Sequence, residues 1–106
     1  PGPVTWGIQQ ILFNPANSTH FNMTVINAAN SSTYVDVSRI AVSVDQGAPI
    51  NISAWSASPS SRLETNSSLL IACPWIWTSF KGQGSLAQVT IYTSQGFTAT
   101  KEELIP

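Results

Sequence analysis

The chain has 106 residues and a formal net charge of −1 at neutral pH, which is enough for one domain with one hydrophobic core. Apolar residues make up 42% of the sequence and charged residues only 8%, and the charged share is far below the usual one of about a quarter. Disordered chains combine few hydrophobic residues with a high net charge, so this chain is expected to fold. Its basic residues are scattered and give no footprint for nucleic acid or anionic lipid; they are Arg39, Arg62, Lys81 and Lys101.

The termini and the longest apolar run bear on targeting. The run Leu69–Trp77, interrupted by Pro74, is too short to span a bilayer. The chain opens with Pro1-Gly2-Pro3 and shows no signal peptide. We therefore expect residues 1–106 to be one domain cut from a longer, anchored chain, with any membrane attachment outside it.

The spacing of turn residues predicts the fold class. Segments rich in Thr, Val, Ile and aromatic residues are interrupted by Ser, Asn, Gly or Pro every ten residues or so, a spacing typical of all-β sandwiches. No segment has helical periodicity. The sequence predicts an all-β, immunoglobulin-like sandwich of about seven antiparallel strands. In chain order the predicted strands are 5–13, 20–28, 33–45, 50–55, 69–77, 86–94 and 97–105, with 56–65 as a polar loop.

Two of these strands change phase. In the first, Ile8 and Ile11 have opposite parity, which predicts a bulge or a strand that passes from one sheet to the other. In the third, a kink is predicted near Ser38-Arg39, the alternative being two separate strands. The second strand alternates without interruption, and its Asn22 and Thr24 are predicted to face outward.

Several segments carry a family resemblance. Phe21–Asn27 has an aromatic-x-x-Thr-Val-x-Asn pattern, Trp75-Ile76-Trp77 ends a central strand, and Val89–Phe97 has a valine-rich strand followed by Thr-Ser-x-Gly and an aromatic residue. Together they resemble the immunoglobulin-like, adhesion-type β-sandwich domains of archaeal cell-surface proteins. Asn66-Ser67-Ser68 replaces the Pro-Gly-Glu-type turn of that group. The resemblance implies a role in a surface layer, pilus or archaellum, and it brings no catalytic residues.

Five of the seven asparagines begin an N-x-Ser/Thr sequon. Because about a quarter of the residues are Ser or Thr, roughly two sequons would be expected by chance. The excess favours a glycosylated surface protein over a bias of composition alone. The predicted glycosylation sites are Asn17, Asn22, Asn30, Asn51 and Asn66.

Catalytic and metal-binding patterns are missing from the sequence. His20 is the single histidine, so Ser-His-Asp or Cys-His chemistry would have to be built around it. The five carboxylates have no calcium-loop or zinc-site spacing. Cys73, the single cysteine, excludes an internal disulfide and is predicted to be a small buried hydrophobe. We therefore predict a protein that is not an enzyme and has no cofactor.

The tryptophans suggest an alternative function. Trp75 and Trp77 lie two residues apart and share one face of an extended strand. Together with Trp55 they would suit a carbohydrate-binding module, although their apolar neighbours favour core packing. A third hypothesis is a fragment of an enzyme whose active site lies elsewhere in a longer chain.

The strand 69–77 predicts a contact surface. It is apolar at both parities, whereas a sandwich strand normally has one wet face. Pro74 cannot donate to a ladder, which predicts an edge or a bulge there. Leu70, Ala72 and Ile76 are therefore predicted to contact a partner or a second copy of the chain.

The leading hypothesis is a non-catalytic structural or adhesive module outside the cell. It would contact envelope or appendage proteins, or copies of itself in a homodimer or homopolymer. No contact with nucleic acid is expected.

Overall fold

The computed structural model describes residues 2–79 and 84–106, in which antiparallel strands form two sheets. The all-β prediction is confirmed, and the described residues contain no α-helix, only the 3-10 turn Trp77–Ser79. The strands are β1 Trp6–Leu12, β2 His20–Asn27, β3 Val35–Val44, β4 Ile50–Asn51, β5 Ser56–Ser58, β6 Arg62–Leu63, β7 Ser67–Pro74, β8 Leu86–Thr93 and β9 Thr98–Leu104.

Two layers enclose one core. The first sheet has the order β1-β2-β7-β5, and the second has the order β4-β3-β8-β9 with β6 paired to β3. Alternate residues of the central strands point between the sheets, so that Val25 of the first sheet and Val89 of the second are fully buried. The buried cluster runs through both layers and comprises Ile11, Phe13, Phe21, Met23, Val25, Val35, Val37, Ile40, Val42, Ile52, Leu63, Leu69, Ile71, Cys73, Trp75, Trp77, Ala87, Val89, Ile91 and Ile105.

Four aromatic rings close one end of this core. The centroid of Phe13 lies 5.2 Å from that of Phe21 and 5.4 Å from that of Trp77, and Phe21 meets Trp75 edge-on at 5.9 Å. The indole N–H of Trp77 donates to the carbonyl of His20 over 2.8 Å. Trp75 is buried, as its apolar neighbours predicted.

Both predicted phase changes are register shifts in the ladders. The pairing of β1 with β2 shifts between Ile8 and Gln10, which brings Ile11 into the core. The pairing of β3 with β8 shifts between Val37 and Arg39. β3 stays one continuous strand, so the alternative of two separate strands is wrong.

The segment between Ile50 and Leu63 differs from its prediction. The strand that begins at Ile50 lasts two residues, and the backbone of Ala54 takes a φ of 58°, which an extended strand does not allow. The predicted polar loop contains β5, which pairs with β7, and β6, whose Leu63 is fully buried. Serine side chains give no alternation to detect, yet their backbone groups complete the ladder.

β7 is an inner strand as far as Ala72, but it is paired on one side only at Pro74, so the predicted edge is present at the proline and not along the rest of the strand. It lies between β2 and β5 and ends at Pro74 rather than at Trp77. The N–H of Trp75 donates to the carbonyl of Thr19, so the nitrogen of Trp75 points toward β2. Successive backbone nitrogens of a strand point to opposite sides, so the nitrogen of Pro74 points away from β2, toward the side of β5. There β5 has already ended, because it pairs only with Leu70–Ala72. No ladder bond is lost at the proline.

β1 and β9 lie side by side where the two sheets meet. Asn27, opposite Trp6 at the start of β1, donates to the carbonyl of Thr33 just before β3 begins. β8 ends beside the start of β3 and turns into Thr98 at the start of β9. β1 and β9 therefore begin at the same end of the sandwich and run in the same direction.

Candidate interaction surface

The outer face of the first sheet is formed by alternate residues of its four strands. The register places Leu12, Asn22, Ala72 and Ser56 in one row across β1, β2, β7 and β5. The next row is Gln10, Thr24, Leu70 and Ser58. Directly opposed side chains in such rows have Cβ atoms about 5 Å apart, so each row is continuous.

Four aliphatic side chains on this face form what we call the apolar patch: Leu12, Ile26, Leu70 and Ala72. Leu70 is 56% exposed, Leu12 48% and Ile26 37%, while Ala72 is half-buried. Leu12 and Ala72 flank Asn22 on the two neighbouring strands, and Ile26 lies diagonally from Leu70. Ile26, Leu70 and Ala72 adjoin one another, whereas Leu12 is separated from Ala72 by Asn22. Single exposed leucines are ordinary on a protein surface, but several on one sheet face are more typical of a contact site.

The same sheet carries no formal charge. β1, β2, β5 and β7 contain no Asp, Glu, Lys or Arg. Its titratable outward side chain is His20, whose Nδ1 lies 2.9 Å from the hydroxyl of Thr19. A second surface could cover this face without desolvating an ion, which is the usual obstacle to docking.

The predicted interface is only partly brought together. Leu70 and Ala72 share the outer face of the first sheet, two residues apart on β7. Ile76 is 58% exposed, but it follows the last paired residue of β7, so the ladder does not place it on this face. Leu12 and Ile26 were not predicted. The parity of Asn22 and Thr24 extends to Ile26 and could have identified it, whereas the bulge in β1 hides the orientation of Leu12.

All five sequon asparagines are exposed. The amide oxygen of Asn17 accepts a hydrogen bond from the hydroxyl of Thr19, and that of Asn51 accepts one from the Arg39 guanidinium. Asn66 occupies a turn with a φ of 58°. Asn27, which begins no sequon, is buried, and its amide group donates to two backbone carbonyls. Exposure meets the first requirement of glycosylation, and occupancy stays a prediction.

Asn22 occupies a special place among them because it lies inside the apolar patch. Its sequon partner Thr24 is two residues further along β2 and projects from the same face. The pair is bordered by Leu12 on one side and by Ala72 and Leu70 on the other. Any group attached to Asn22 would stand over the patch.

The outer face of the second sheet combines polar side chains that bind one another with one apolar pair, in which Leu104, 60% exposed, lies opposite Leu86. The guanidinium of Arg39 lies 3.8 Å from the centroid of the Tyr92 ring and donates to Asn51 over 3.1 Å. Thr90 and Thr100 meet across β8 and β9 with their hydroxyl oxygens 3.2 Å apart. These side chains bind one another, so a partner on this part of the face would have to desolvate groups that are already paired.

A polar cluster fixes the beginning of β3. The side-chain amide of Gln95 accepts from the N–H of Asp36 and donates to the carbonyl of Tyr34, both over 2.8 Å. The Asp36 carboxylate accepts from the hydroxyls of Ser61 and Ser94. These bonds connect three loops, so we assign the cluster a structural role.

The tryptophan platform of the carbohydrate-binding alternative is not present. Trp75 follows the last residue of β7 and Trp77 begins the 3-10 turn, so the two do not share a strand face, and both rings are buried against Phe13. Trp6 and Trp55 are partly buried and pack against the same core. The apolar neighbours that favoured core packing gave the correct interpretation.

Chemical groups for catalysis are not assembled within residues 2–79 and 84–106. No group of three or more His, Cys, Asp or Glu side chains there could hold a metal ion. Burial raises the pKa of the Cys73 thiol to about 12, so the thiolate that reacts with electrophiles does not form near neutral pH. In the same ranges no helix has the length and apolar character needed to cross a membrane.

Comparison with known structures gives two close matches in fold. No protein-family model matches the sequence, and no curated protein matches it. The archaellum periplasmic stator protein FlaG from Sulfolobus acidocaldarius superposes with a TM-score of 0.73 over 94% of this chain and 99% of that one, at 13% identity. The chain shares the fold of FlaG. A structure of the FlaF and FlaG stator complex from the same organism superposes with a TM-score of 0.70 over 92% of this chain and 87% of that one, at 15% identity.

These matches confirm the sequence-based resemblance at the level of the β-sandwich, and they come from an archaeal surface appendage as the resemblance implied. The adhesion-type assignment remains a prediction.

Proposed function

We propose that the chain is a non-catalytic structural module of an archaeal cell envelope or surface appendage, associated with the archaellum, and that it acts through protein–protein contacts. The observation that carries the proposal is the charge-free outer face of the first sheet, with its exposed Leu12, Ile26 and Leu70, on a sandwich of the FlaG fold. FlaG is also known in a complex with FlaF, which supports a fold that works by binding another envelope protein.

The proposal places the module outside the cell, where exposed sequons can be glycosylated. All five acceptor asparagines face solvent. The proposal includes a membrane anchor in a part of the protein outside this domain and a surface layer, pilus or archaellum as the surrounding structure. An adhesive role would use the same contact face.

Co-purification from an archaeal host tests the partner class. An affinity-tagged chain is expected to retain archaellum or surface-layer proteins after detergent extraction of the envelope. Leu70→Lys should lose these proteins, because a partner would have to bury the new charge. The matched control is Gln88→Lys, an exposed outward position on the inner strand β8 of the second sheet. Retention of cytosolic enzymes alone, or equal retention by both variants, would contradict the proposal.

Mass spectrometry of protein from an archaeal host tests the glycans. Hexose-type mass additions are expected on one or more of Asn17, Asn22, Asn30, Asn51 and Asn66. Asn14, exposed but without a sequon, is the internal control. Five bare sequon asparagines would remove the support that glycosylation gives to an extracellular location.

A further inference from the structure

We infer that Asn22 and Asn51 accept an N-linked glycan only while the chain is unfolded, whereas Asn17 and Asn66 remain acceptors in the folded domain. Because Asn22 lies inside the apolar patch, the time of its modification also decides whether that patch is covered or free. The inference rests on the proposed function, which places the chain outside the cell, where its sequons meet a glycosyl transferase.

The chemistry of the transfer sets what an acceptor segment must do. The carboxamide nitrogen of asparagine attacks C1 of a sugar carried on a lipid phosphate. An N–C1 bond forms, the bond from C1 to the phosphate oxygen breaks, the nitrogen loses a proton and the lipid phosphate leaves. Amide resonance makes this nitrogen a weak nucleophile, so the enzyme has to surround the side chain to activate it. Because the enzyme also reads the hydroxyl residue two positions on, the whole sequon must enter its cleft.

The sequon of Asn22 is held in the middle of a sheet. β2 is paired on both sides, with β1 and β7, and both registers run through all three sequon residues. Met23, between the acceptor and Thr24, is buried in the core. A cleft cannot enclose this segment unless β2 leaves both neighbours and Met23 leaves the core. Such an opening breaks the first sheet, so it amounts to unfolding of the domain.

Asn17 has the same N-x-Thr sequon but lies outside the ladders, in the segment between β1 and β2. Its amide oxygen accepts from the hydroxyl of Thr19 over 3.0 Å, so the two groups that the enzyme reads already lie together at the surface. Ser18, between them, is only half-buried. A cleft can enclose this segment without disturbing a sheet, which makes Asn17 a matched control for Asn22.

The N-x-Ser sequons of Asn51 and Asn66 repeat the contrast. After Asn51, the residue Ile52 is buried, and its N–H donates to a carbonyl of β3 over 2.9 Å. After Asn66, both Ser67 and Ser68 are exposed, and β5 does not reach them. Modification of Asn51 therefore requires a core residue to leave its place, whereas modification of Asn66 does not.

The size of the effect follows from the stability of a folded domain. Marginally stable proteins are unfolded in about one molecule in 10³ to 10⁶. A transferase that needs the open form of β2 should therefore modify Asn22 at least about 10³-fold more slowly in the folded protein than in an unfolded one. Asn17 should be modified at a similar rate in both.

The consequence concerns the contact face. Leu12 and Ala72 flank Asn22 on the neighbouring strands, so a glycan on Asn22 stands over the apolar patch. A chain that folds without this glycan keeps the patch free, and the folded protein does not acquire the glycan later. Whether the patch is free for a partner is thus decided once, before folding.

Timed modification tests the inference. Membranes of an N-glycosylating archaeon supply the transferase and its lipid-linked donor, and mass spectrometry follows the occupancy of each asparagine. One substrate is the unchanged chain made in a bacterial host that lacks N-glycosylation. The other is the full chain with Val89→Asp and Ile91→Asp, in which two carboxylates at fully buried positions abolish folding. Circular dichroism checks the folded and the unfolded state.

The two substrates should give different patterns. In the folded chain Asn17 and Asn66 should become modified, while Asn22 and Asn51 stay bare. In the unfolded variant Asn22 should be modified at a rate similar to that of Asn17, since both have the same kind of sequon.

A mild destabilisation gives a graded test within the folded protein. Ile91→Val removes one buried methyl group on the second sheet and should raise the unfolded fraction by about 2–10-fold. Modification of Asn22 should become faster by the same factor, and modification of Asn17 should not change. Gln88→Ala, at an exposed position of the same strand, should leave both rates unchanged.

Each outcome decides the inference. Modification of Asn22 in the folded chain at the rate of Asn17, or a bare Asn22 in the unfolded variant, overturns it. A bare Asn17 in the folded chain contradicts the open sequons. Envelope proteins that co-purify with the chain, although Asn22 is freely modified after folding, would leave the proposed function standing while this inference falls. The expected pattern of modification in a chain that retains no envelope protein would do the reverse.

Discussion

The two sheets share one core and differ in the charge of their outer faces, although each exposes aliphatic side chains; on the second sheet the exposed one is Leu104, opposite Leu86. Their inner faces contribute alternate aliphatic and aromatic side chains to one core. Outside, the second sheet carries an arginine stacked on a tyrosine and threonines that contact one another, whereas the first exposes Leu12, Ile26 and Leu70 and contains no charged residue.

The difference concerns how the outward side chains of each sheet are paired. Polar side chains on the second sheet bind one another, so a partner there would have to desolvate an arginine and hydroxyl groups that are already paired. Side chains on the first sheet leave apolar area in water, at a free-energy cost of roughly 25 cal/mol per Å². Such a cost is ordinarily retained where a partner recovers it, and for this reason we place the contact surface on the first sheet.

Truncation of Leu70 on β7 and of Trp75 just after β7 should give the largest contrast in stability. Trp75→Ala removes a ring of the aromatic end cluster and should lower the free energy of unfolding by about 3–5 kcal/mol. Leu70→Ala on the outer face should change it by less than about 0.5 kcal/mol. Urea denaturation followed by circular dichroism measures both. A Trp75→Ala protein as stable as wild type would mean that the first sheet has no buried side.

Two asparagines on β2 give the next contrast. The buried amide of Asn27 donates to the carbonyls of Thr33 and Leu63 over 2.9 and 3.2 Å. Asn27→Ala leaves both carbonyls buried without this donor and should cost about 1–3 kcal/mol of unfolding free energy. Asn22→Ala, exposed on the other face, should cost little. Equal melting temperatures for the two variants would show that the amide does not hold the sheets together.

Replacing a glycine in a turn of the second sheet should lower stability more than replacing a glycine in a strand of the first. Gly96 has a φ of 91° in the turn between β8 and β9, and an alanine forced into such a left-handed conformation costs about 1–2 kcal/mol. Gly7 in β1 has no such φ and has space for a methyl group, so Gly7→Ala should be neutral or slightly stabilising. Thermal unfolding of both variants decides this, and a stable Gly96→Ala would contradict the turn geometry.

Truncating outer-face side chains of the two sheets should give the smallest difference in unfolding free energy, but one that can be measured. Arg39→Ala removes the contact with Tyr92 and the hydrogen bond to Asn51, and should cost about 0.5–1 kcal/mol. Leu12→Ala on the first sheet removes an exposed side chain and should leave the unfolding free energy of the isolated domain nearly unchanged. Chemical denaturation at low protein concentration compares them. If Leu12→Ala lowered the unfolding free energy more than Arg39→Ala, the Leu12 side chain would be packed within the domain and would not be available to a partner.

The central strands could be predicted from the sequence because their alternation is strong. Phe21, Met23 and Val25 specify which face of β2 is buried, and the two phase changes were predicted where the ladders shift. β5 and β6 could not be predicted, since their pairing depends on backbone hydrogen bonds to distant strands. Pro74 indicated an edge at its own position, but the sequence does not show that β5 covers the preceding part of β7.

Part of the candidate surface could also be predicted from the local pattern of apolar residues. Leu70 and Ala72 stand out within a strand that is apolar at both parities. Leu12 joins them only through the bulge in β1 and the pairing of β1 with β2, and no local pattern contains that information.

The parallel course of β1 and β9 has a mechanical consequence. Because both strands begin at the same end of the sandwich, Trp6 and Leu104 lie at opposite ends of a molecule that measures 44 × 25 × 20 Å. A pull between these two residues would load the β1–β2 and β8–β9 ladders along the strands, so their hydrogen bonds would have to break together rather than one after another. Resistance to tension along its long axis is thus built into how the domain's outermost strands are paired.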